Sequence, residues 1–393
     1  MSEYQYYEFR AVDRSLTAAE IEKLGELSSR ANVTSNSFSV TYNYGDFRGE
    51  PERLMERYFD AFVYVTNWGS RRFMLRLPKR GIDLARIKPY ANEQLTFWLK
   101  NEFVILSFQY NNEGGGDWEE GEGWLTSLIA IRDELLNGDF RSLYLGWLSG
   151  VFIYDADDGI NADDNEDLEP PVPAGLRTLT AAQDELASFL EMDPVLIEAV
   201  AECSPALPPI KSLEEQLAKW IKSIPVDKKD QWLLELVGNT GLAVRAELLL
   251  EFRESQLKTK SAGEDPAGRL RRRTIGELRT AREAHVAVYE KRQAAKAAAK
   301  KTQDAKLAAK KREKELDTLS KRIDAAWQEI DQRLVSTSSN RFVHSLKDLN
   351  DLRELAVREG SLDDFRTRLK KLLHKHADKT TFLDRVKKAM LDR

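Results

Sequence analysis

Alternating hydrophobic and polar residues recur over the first 110 positions and indicate β-strands. The predicted strands cover residues 4–9, 38–44, 72–77, 95–100 and 103–110. Helical spacing interrupts this pattern after Thr17, which can form a capping box with Glu20, and again from Pro51, which suits the first turn of a helix. Residues 62–66 fit either the end of that second helix or a further strand.

The aromatic residues place the main hydrophobic core in this first part of the chain. Residues 1–154 contain 27 of the 36 Phe, Trp and Tyr residues, and large rings contribute the most buried area per residue. Two further apolar helices are expected near 124–136 and 140–153. We therefore predict an α+β domain over 1–154, with an antiparallel or mixed sheet, followed by all-α regions.

An acidic segment over residues 155–175 predicts a linker. It contains eight acidic residues, no basic residue and three prolines, a composition that buries too little apolar surface to form a core. A small helical domain is predicted over 176–256, from five segments with helical spacing. The expected buried residues of two of its helices are Leu213, Leu217, Trp220 and Ile221, and then Trp232, Leu233 and Leu236.

Residues 267–334 predict a long basic helix that is partly coiled-coil-like. The strongest helix formers predominate there, and Pro266 is the last proline of the chain. Near its end, apolar residues at steps of three and four indicate a seam for a partner protein or a second copy of the chain. The seam residues are Leu316, Leu319, Ile323 and Ile330. A small C-terminal helical hairpin or bundle is predicted over 341–393, with Gly360 ending its first helix.

The net charge of −5 conceals an asymmetry along the chain. Residues 1–175 contain 17 basic and 30 acidic residues, whereas 176–393 contain 43 basic and 35 acidic ones. The positive excess is concentrated in 267–313, with 15 basic and 5 acidic residues. Such a surface can bind the phosphates of nucleic acid; the alternative is a solvated helix that Lys and Arg keep soluble.

The candidate nucleic-acid contacts are basic residues of that segment. They are Arg271, Arg272, Arg273, Lys291, Arg292, Lys296, Lys300, Lys301, Lys310, Lys311 and Arg312. No aromatic residue lies between 290 and 326, so stacking on bases is not expected there.

The distribution of histidine and cysteine limits the chemistry that the chain can perform. All four histidines lie at or after His285, and Cys203 is the only cysteine. Residues 1–154 therefore hold neither a Ser-His-Asp nor a Cys-His site. The common phosphate-binding and catalytic motifs are also absent, and we predict no catalytic residue, cofactor or bound metal. His374 and His376 lie on different helix faces and are expected to be exposed.

Two loops contain residues that could bind a ligand. Residues 155–166 place acids at positions 1, 3, 9 and 12 of a calcium loop, but Gly159 stands at position 5 instead of the required position 6. A solvated acidic linker is therefore favoured over a calcium site. Gly114, Gly115 and Gly116 could bind an anion through backbone N–H groups, but five acidic neighbours would repel it, which favours a mobile loop.

The chain lacks the sequence features of membrane insertion and export. No apolar run approaches the roughly 20 residues that span a bilayer, and the first four residues are polar and acidic, unlike a signal peptide. A single cysteine excludes an intrachain disulfide. We expect a cytoplasmic protein with no membrane partner.

Several short stretches resemble known families. The stretches MSEYQYYEF (1–9), YGDF (44–47) and NWGSRR (67–72) resemble a family of uncharacterised bacterial proteins over about the first 110 residues, which implies no activity. The C-terminal pattern LNDLRELA (349–356) with Phe365, Leu369 and His376 is similar to the helical C-terminal end of bacterial SWIM zinc-finger proteins. The cysteine and histidine ligands of that finger are missing, so the resemblance implies no zinc site.

These observations favour a non-enzymatic scaffold or adaptor that binds another protein, or a second copy of itself, through the long charged helix and the helical tail. The alternative is a nucleic-acid-associated protein that binds phosphates through residues 267–313. An enzyme that uses carboxylates in the 1–154 domain is a third hypothesis, and no pair of acids supports it by its spacing.

Overall fold

A computed structural model gives the fold, and it divides the chain into two compact units, Met1–Tyr289 and Glu290–Arg393. The residues that the structure describes are 3–111, 120–151, 166–208, 213–238, 241–260, 271–335 and 339–389. An antiparallel sheet near the N-terminus is followed by helices, which confirms the predicted fold class.

A seven-stranded antiparallel sheet forms the centre of the first unit. Its strands are β1 (Gln5–Arg10), β2 (Asn32–Val33), β3 (Ser37–Tyr42), β4 (Ala61–Thr66), β5 (Arg71–Pro78), β6 (Leu95–Lys100) and β7 (Phe103–Tyr110). Their order across the sheet is β2-β3-β1-β4-β5-β7-β6. The five predicted strands are confirmed, and residues 62–66, which the pattern left ambiguous, belong to strand β4.

The described part of the first unit also contains helices, of which those before residue 202 cover both faces of the sheet. The helices are α1 (Ala18–Gly25), α2 (Pro51–Arg57), α3 (Leu84–Ile87), α4 (Trp124–Leu128), α5 (Ala130–Leu136), α6 (Arg141–Ser149), α7 (Ala181–Phe189), α8 (Pro194–Ala201), α9 (Leu213–Ser223), α10 (Val226–Gly238) and α11 (Gly241–Lys260). Helix α12 (Ile275–Ser320) begins in this unit and continues into the second. The capping box of α1 is confirmed, because the Glu20 amide donates to Thr17 Oγ1 at 3.3 Å and the Thr17 amide to Glu20 Oε2 at 2.8 Å.

Alternation along the strands separates two hydrophobic cores. In β4, Ala61, Val63 and Val65 pack on the face covered by α4 to α8, whereas Phe62 packs on the face covered by α1 and α2. Successive side chains of a strand point to opposite faces, so one strand supplies both cores. Every strand residue between 61 and 65 apart from Tyr64 is buried.

The predicted linker does not separate two domains over its described residues, 166–175, because it packs into the first unit there. Val172 is buried in the same core as the sheet, as is Leu176 directly after the segment, and helices α7 and α8 add Leu186 and Val200 to that core. The acidic residue beside them, Glu169, is buried and paired with Arg273. The first unit therefore includes Cys203 and His285, which the sequence-based division placed outside the 1–154 domain.

Helices α9, α10 and α11 confirm the predicted helices but not all of their buried faces. Trp232 of α10 is buried and its ring lies 6.0 Å from that of Trp220 of α9. Leu233 and Leu236 are exposed, as are Leu213 and Ile221, so the prediction that they supply buried faces is wrong. The small core around Ile224, Trp232 and Val244 covers only one side of these helices.

The second unit is a helical bundle with its own core. Besides the later part of α12 it contains α13 (Ile323–Leu334), α14 (Ser339–Glu359), α15 (Leu362–Lys375) and α16 (Thr380–Lys388). Ile330, Leu349, Leu369 and Phe382 are among its fully buried residues. The predicted continuous helix to residue 334 is interrupted at Arg322, whose backbone is not helical (φ −137°, ψ 28°). Gly360, with φ +69°, ends α14 as predicted.

Candidate nucleic-acid interface

The start of α12 is fixed by local hydrogen bonds within the first unit. The Glu277 amide donates to Thr274 Oγ1 at 3.2 Å, and the Thr274 amide donates to Glu277 Oε2 at 3.0 Å. This reciprocal pair satisfies two of the donors that a helix leaves free at its N-terminus. Just before it, Leu168 and Thr274 form an antiparallel β-bridge, which holds residues 167–169 against 273–275.

Arg273 is a structural residue at this bridge. Its Nε and Nη2 atoms donate to the two carboxylate oxygens of Glu169 at 2.8 and 2.7 Å, and Glu169 is fully buried. The hydroxyl of Tyr144 also donates to Glu169. Burial and the charge of Glu169 raise the pKa of Tyr144 well above its ordinary value, so the hydroxyl remains a donor. Arg273 is therefore committed to neutralising a buried carboxylate.

The two neighbouring arginines are also engaged near this bridge. Arg272 donates through Nε to the backbone carbonyl of Glu169. Arg271 forms an ion pair with Glu277 at 2.6 Å, with 83% of its side chain exposed. Of the three predicted nucleic-acid contacts at 271–273, Arg271 and Arg272 are exposed, whereas only 14% of the Arg273 side chain is exposed.

The second group of predicted contacts lies on a different kind of surface. All 22 residues from 290 to 311 of α12, the basic stretch, are exposed. The basic stretch contains eight basic residues and two acidic ones, Glu290 and Asp304. Within the described part of the chain, none of its lysines forms an ion pair. These lysines are Lys291, Lys296, Lys300, Lys301, Lys306, Lys310 and Lys311.

Helical geometry brings most of these charges onto one side of α12. At about 100° per residue, Arg292, Lys296, Lys300, Lys306 and Lys310 fall within about 120° of one another. The opposite side carries mainly alanine. The stretch is helical because alanine and lysine are both strong helix formers, so the basic row is held in place without packing against another element.

Arg312 marks the end of this exposed surface. Its Nη2 atom donates to Asp351 at 2.5 Å and to Glu354 at 2.6 Å, both on α14. Arg312 is therefore paired with two carboxylates of the second unit. Arg312, a predicted nucleic-acid contact, therefore joins two helices of the bundle.

The predicted partner seam is occupied by residues of the same unit. Leu316 and Ile330 are buried, and Leu319 and Ile323 pack partly buried against the bundle core. A seam for another chain would leave such residues exposed in one copy. The spacing of the seam correctly marks a packed helix face, but the helices that cover it belong to this chain.

Two further sequence-based expectations concern possible ligand sites. His376 was expected to be exposed, and this is wrong: it is buried and its Nε2 lies 2.7 Å from Asp331 Oδ1. Hydrogen bonds from Lys375 and His376 lower the pKa of Asp331. No group of three or more metal-binding side chains occurs among the described residues. The glycine loop at 114–116 and the acidic loop at 155–165 lie outside them.

The sheet carries a cleft that the sequence pattern did not reveal. A row of register partners, Tyr7, Tyr64, Arg72 and Gln109, crosses β1, β4, β5 and β7 and lines a volume of about 290 Å³. Arg72 donates to Ser107 at 2.9 Å and pairs with Glu52. Both tyrosine hydroxyls donate to Gln5 Oε1. These groups largely satisfy one another, so the cleft does not identify a ligand.

None of the helices over the described ranges is long and apolar enough to cross a membrane.

The chain was also compared with known proteins. The comparisons with protein-family models, with curated proteins and with solved structures found no match. The two family resemblances drawn from the sequence stay predictions, and the candidate interface rests on the geometry of α12.

Proposed function

We propose that the protein binds the phosphate backbone of nucleic acid through the basic stretch of α12. The observation that carries this proposal is that seven lysines in 22 exposed residues have no carboxylate partner in the described part of the chain. Surface lysines usually occur among acidic residues at comparable density. Here the excess of six positive charges is retained on one exposed helix.

The mode of binding follows from the side chains present. Lysine is a flexible point charge, which suits phosphate contacts that do not depend on sequence. The stretch contains no aromatic residue for stacking on bases. Binding would gain free energy from the release of counterions, so the affinity would fall steeply with salt and vary little with base sequence.

The test uses fluorescence anisotropy of labelled duplex DNA and RNA, titrated with the full chain at several salt concentrations. The test variant carries Lys296→Ala, Lys300→Ala, Lys306→Ala and Lys310→Ala, the four-lysine variant. The matched control removes the same charge from other exposed lysines, through Lys370→Ala, Lys371→Ala, Lys387→Ala and Lys388→Ala. Alanine keeps the helix in both cases.

The proposal predicts a specific change in salt dependence. Each lost phosphate contact on duplex DNA lowers the magnitude of the slope of log Kobs against log salt by about 0.9, so the four-lysine variant should lose about 3 to 4. The control variant should keep the slope of the unmodified protein. Absence of binding by the unmodified protein at low salt, or equal losses in both variants, would contradict the proposal.

A protein adaptor is the second candidate function. It is favoured by the presence of two separately packed cores in one chain, with α12 contributing residues to both units. Affinity purification of the full chain, with and without nuclease treatment, separates the two candidates. A protein partner whose recovery survives nuclease and is unaffected in the four-lysine variant would support the adaptor; recovery that depends on nucleic acid would count against it.

A further inference from the structure

Helix α10 has an apolar face that no described part of the chain covers. Trp232 points into the small core with Trp220, Ile224 and Val244, and aliphatic residues line the other side of the helix. Val226, Leu233 and Val237 share one face, since they are separated by seven and four residues. They are 67%, 61% and 89% exposed. A helix that is apolar on both sides is normally buried on both.

Leu234 extends this outer face of α10, and Leu236, one turn after Trp232, is exposed at its edge. Exposed aliphatic residues scattered singly over a surface need no explanation, whereas a contiguous group marks an interaction site. The five side chains expose on the order of 500 Å² of apolar surface, about the apolar share of one side of a standard homodimer interface. The face is therefore large enough for stable association.

Two charged residues on the outer face indicate what covers it. Lys229 and Asp230 are neighbours on that face, and neither forms an ion pair within the described chain. When two copies of α10 pack antiparallel about a two-fold axis between these residues, Lys229 of each copy lies opposite Asp230 of the other. The same register places Val226 of each copy opposite Leu233 of the other. The charge pair and this apolar contact are complementary to a second copy of the same face, whereas Leu234, Leu236 and Val237 lie opposite residues 225, 223 and 222.

We infer that the protein forms a two-fold symmetric homodimer through the outer face of α10. Such an isologous interface pairs residue i with j and j with i, which is the relation that Lys229 and Asp230 satisfy. The helix stays in place in each copy because Trp232 and the ion pair between Lys228 and Glu251 hold it against α9 and α11. This inference is independent of nucleic-acid binding.

Sedimentation equilibrium of the full chain in the micromolar range, without nucleic acid, tests the inference because it reports mass regardless of shape. The unmodified protein should have twice the chain mass of 44.9 kDa. Leu233→Glu should return the mass to that of one chain, because it places charge in the apolar contact. Val357→Glu, at a site in the second unit that is 60% exposed, is the matched control and should stay dimeric.

Charge exchange tests the antiparallel register separately. Lys229→Asp should weaken the dimer by placing two acids opposite each other, and adding Asp230→Lys should restore it. A single-chain mass for the unmodified protein, or a dimer that Leu233→Glu leaves intact, would overturn the inference. A dimer that Leu233→Glu dissociates but that does not respond to the two charge variants would overturn the register. Failure of the dimer leaves the anisotropy titration of the four-lysine variant unaffected, so the two proposals fail independently.

Discussion

Arg272 and Arg273 differ from the lysines between 291 and 311 in what their side chains contact, although both groups are basic. Both groups lie in the segment with the densest positive charge. Arg273 neutralises a buried carboxylate and Arg272 binds a backbone carbonyl, whereas the lysines of the basic stretch have no such partners in the described chain. Positive charge is therefore neutralised within the fold at Arg273 and left exposed along the basic stretch.

The chemistry of the two side chains matches this division. Guanidinium groups form a rigid fork that fits both oxygens of a carboxylate, as Arg273 does with Glu169. Ammonium groups on flexible stems suit solvated contacts with phosphates. Arg312 extends the comparison into the second unit, where it binds two carboxylates. The adjacent Lys311 has no ion-pair partner among the residues that the structure describes.

The largest expected effect comes from breaking the buried pair. Arg273→Ala should lower the free energy of unfolding of the first unit by about 3–5 kcal/mol, because it leaves Glu169 charged and buried without a partner. Arg271→Ala, which removes an exposed ion pair, should cost less than about 1 kcal/mol. Denaturant unfolding of the full chain, with hydrogen exchange to assign each transition to a unit, measures both.

A second substitution, at Glu169, should restore part of the free energy of unfolding that Arg273→Ala loses. Adding Glu169→Gln to Arg273→Ala removes the unpaired charge, so the double variant should be more stable than Arg273→Ala alone. Equal losses of stability for Arg273→Ala and Arg271→Ala would contradict the role of Arg273 as the partner of a buried carboxylate.

The next substitution tests whether the predicted seam residues pack against other residues of the same chain. Ile330→Ala should destabilise the second unit by about 2–5 kcal/mol, because it leaves a cavity at a fully buried position. Val335→Ala at an exposed position of the same region is the control and should change the stability little. Equal, small effects in thermal unfolding would mean that Ile330 is not packed within the chain.

A smaller effect is expected at adjacent residues of α12. Arg312→Ala removes contacts with Asp351 and Glu354 and should cost the second unit about 1 kcal/mol. Lys311→Ala should have almost no effect on stability, since Lys311 has no ion-pair partner in the described chain. Urea midpoints of the two variants compare them directly, and a larger loss for Lys311→Ala would reverse the assignment.

The smallest effect is a pH dependence in the second unit. The pKa of Asp331 is lowered in the folded protein by hydrogen bonds from Lys375 and His376. The unfolded chain therefore binds a proton more readily there, and this contribution is present above the ordinary carboxyl pKa and is lost as the pH falls through the lowered value. Asp331→Asn should reduce the fall in stability of this unit between about pH 4 and pH 2. An unchanged pH profile would contradict this role.

Features set by neighbouring residues could be predicted from the sequence. The capping box of Thr17 and Glu20, the strands at 95–100 and 103–110 and the end of α14 at Gly360 each depend on a few adjacent positions. Glu169 and Arg273 are separated by 104 positions, so nothing local indicates their contact. Their pairing requires the fold of the whole first unit, which also explains why the expected linker packs over its described residues.

The candidate site was predictable only in part, for the same reason. Composition identified the basic stretch, and helical spacing places most of its charges on one side of α12. Which charges remain unpaired depends on tertiary contacts, as Arg273 and Arg312 demonstrate. Likewise, apolar spacing in α10 does not reveal which of its two sides is covered, and Leu233 is on the uncovered one.

The most direct test of the division is the chemical reactivity of each lysine with and without nucleic acid. The full chain is acetylated at low salt, alone and with saturating duplex DNA or RNA, and each lysine is quantified by mass spectrometry. We expect Lys296, Lys300, Lys306 and Lys310 to become protected, while Lys370 and Lys387 react equally in both samples. Unchanged reactivity of the α12 lysines, or equal protection of lysines throughout the second unit, would contradict the assignment of the basic stretch to phosphate binding.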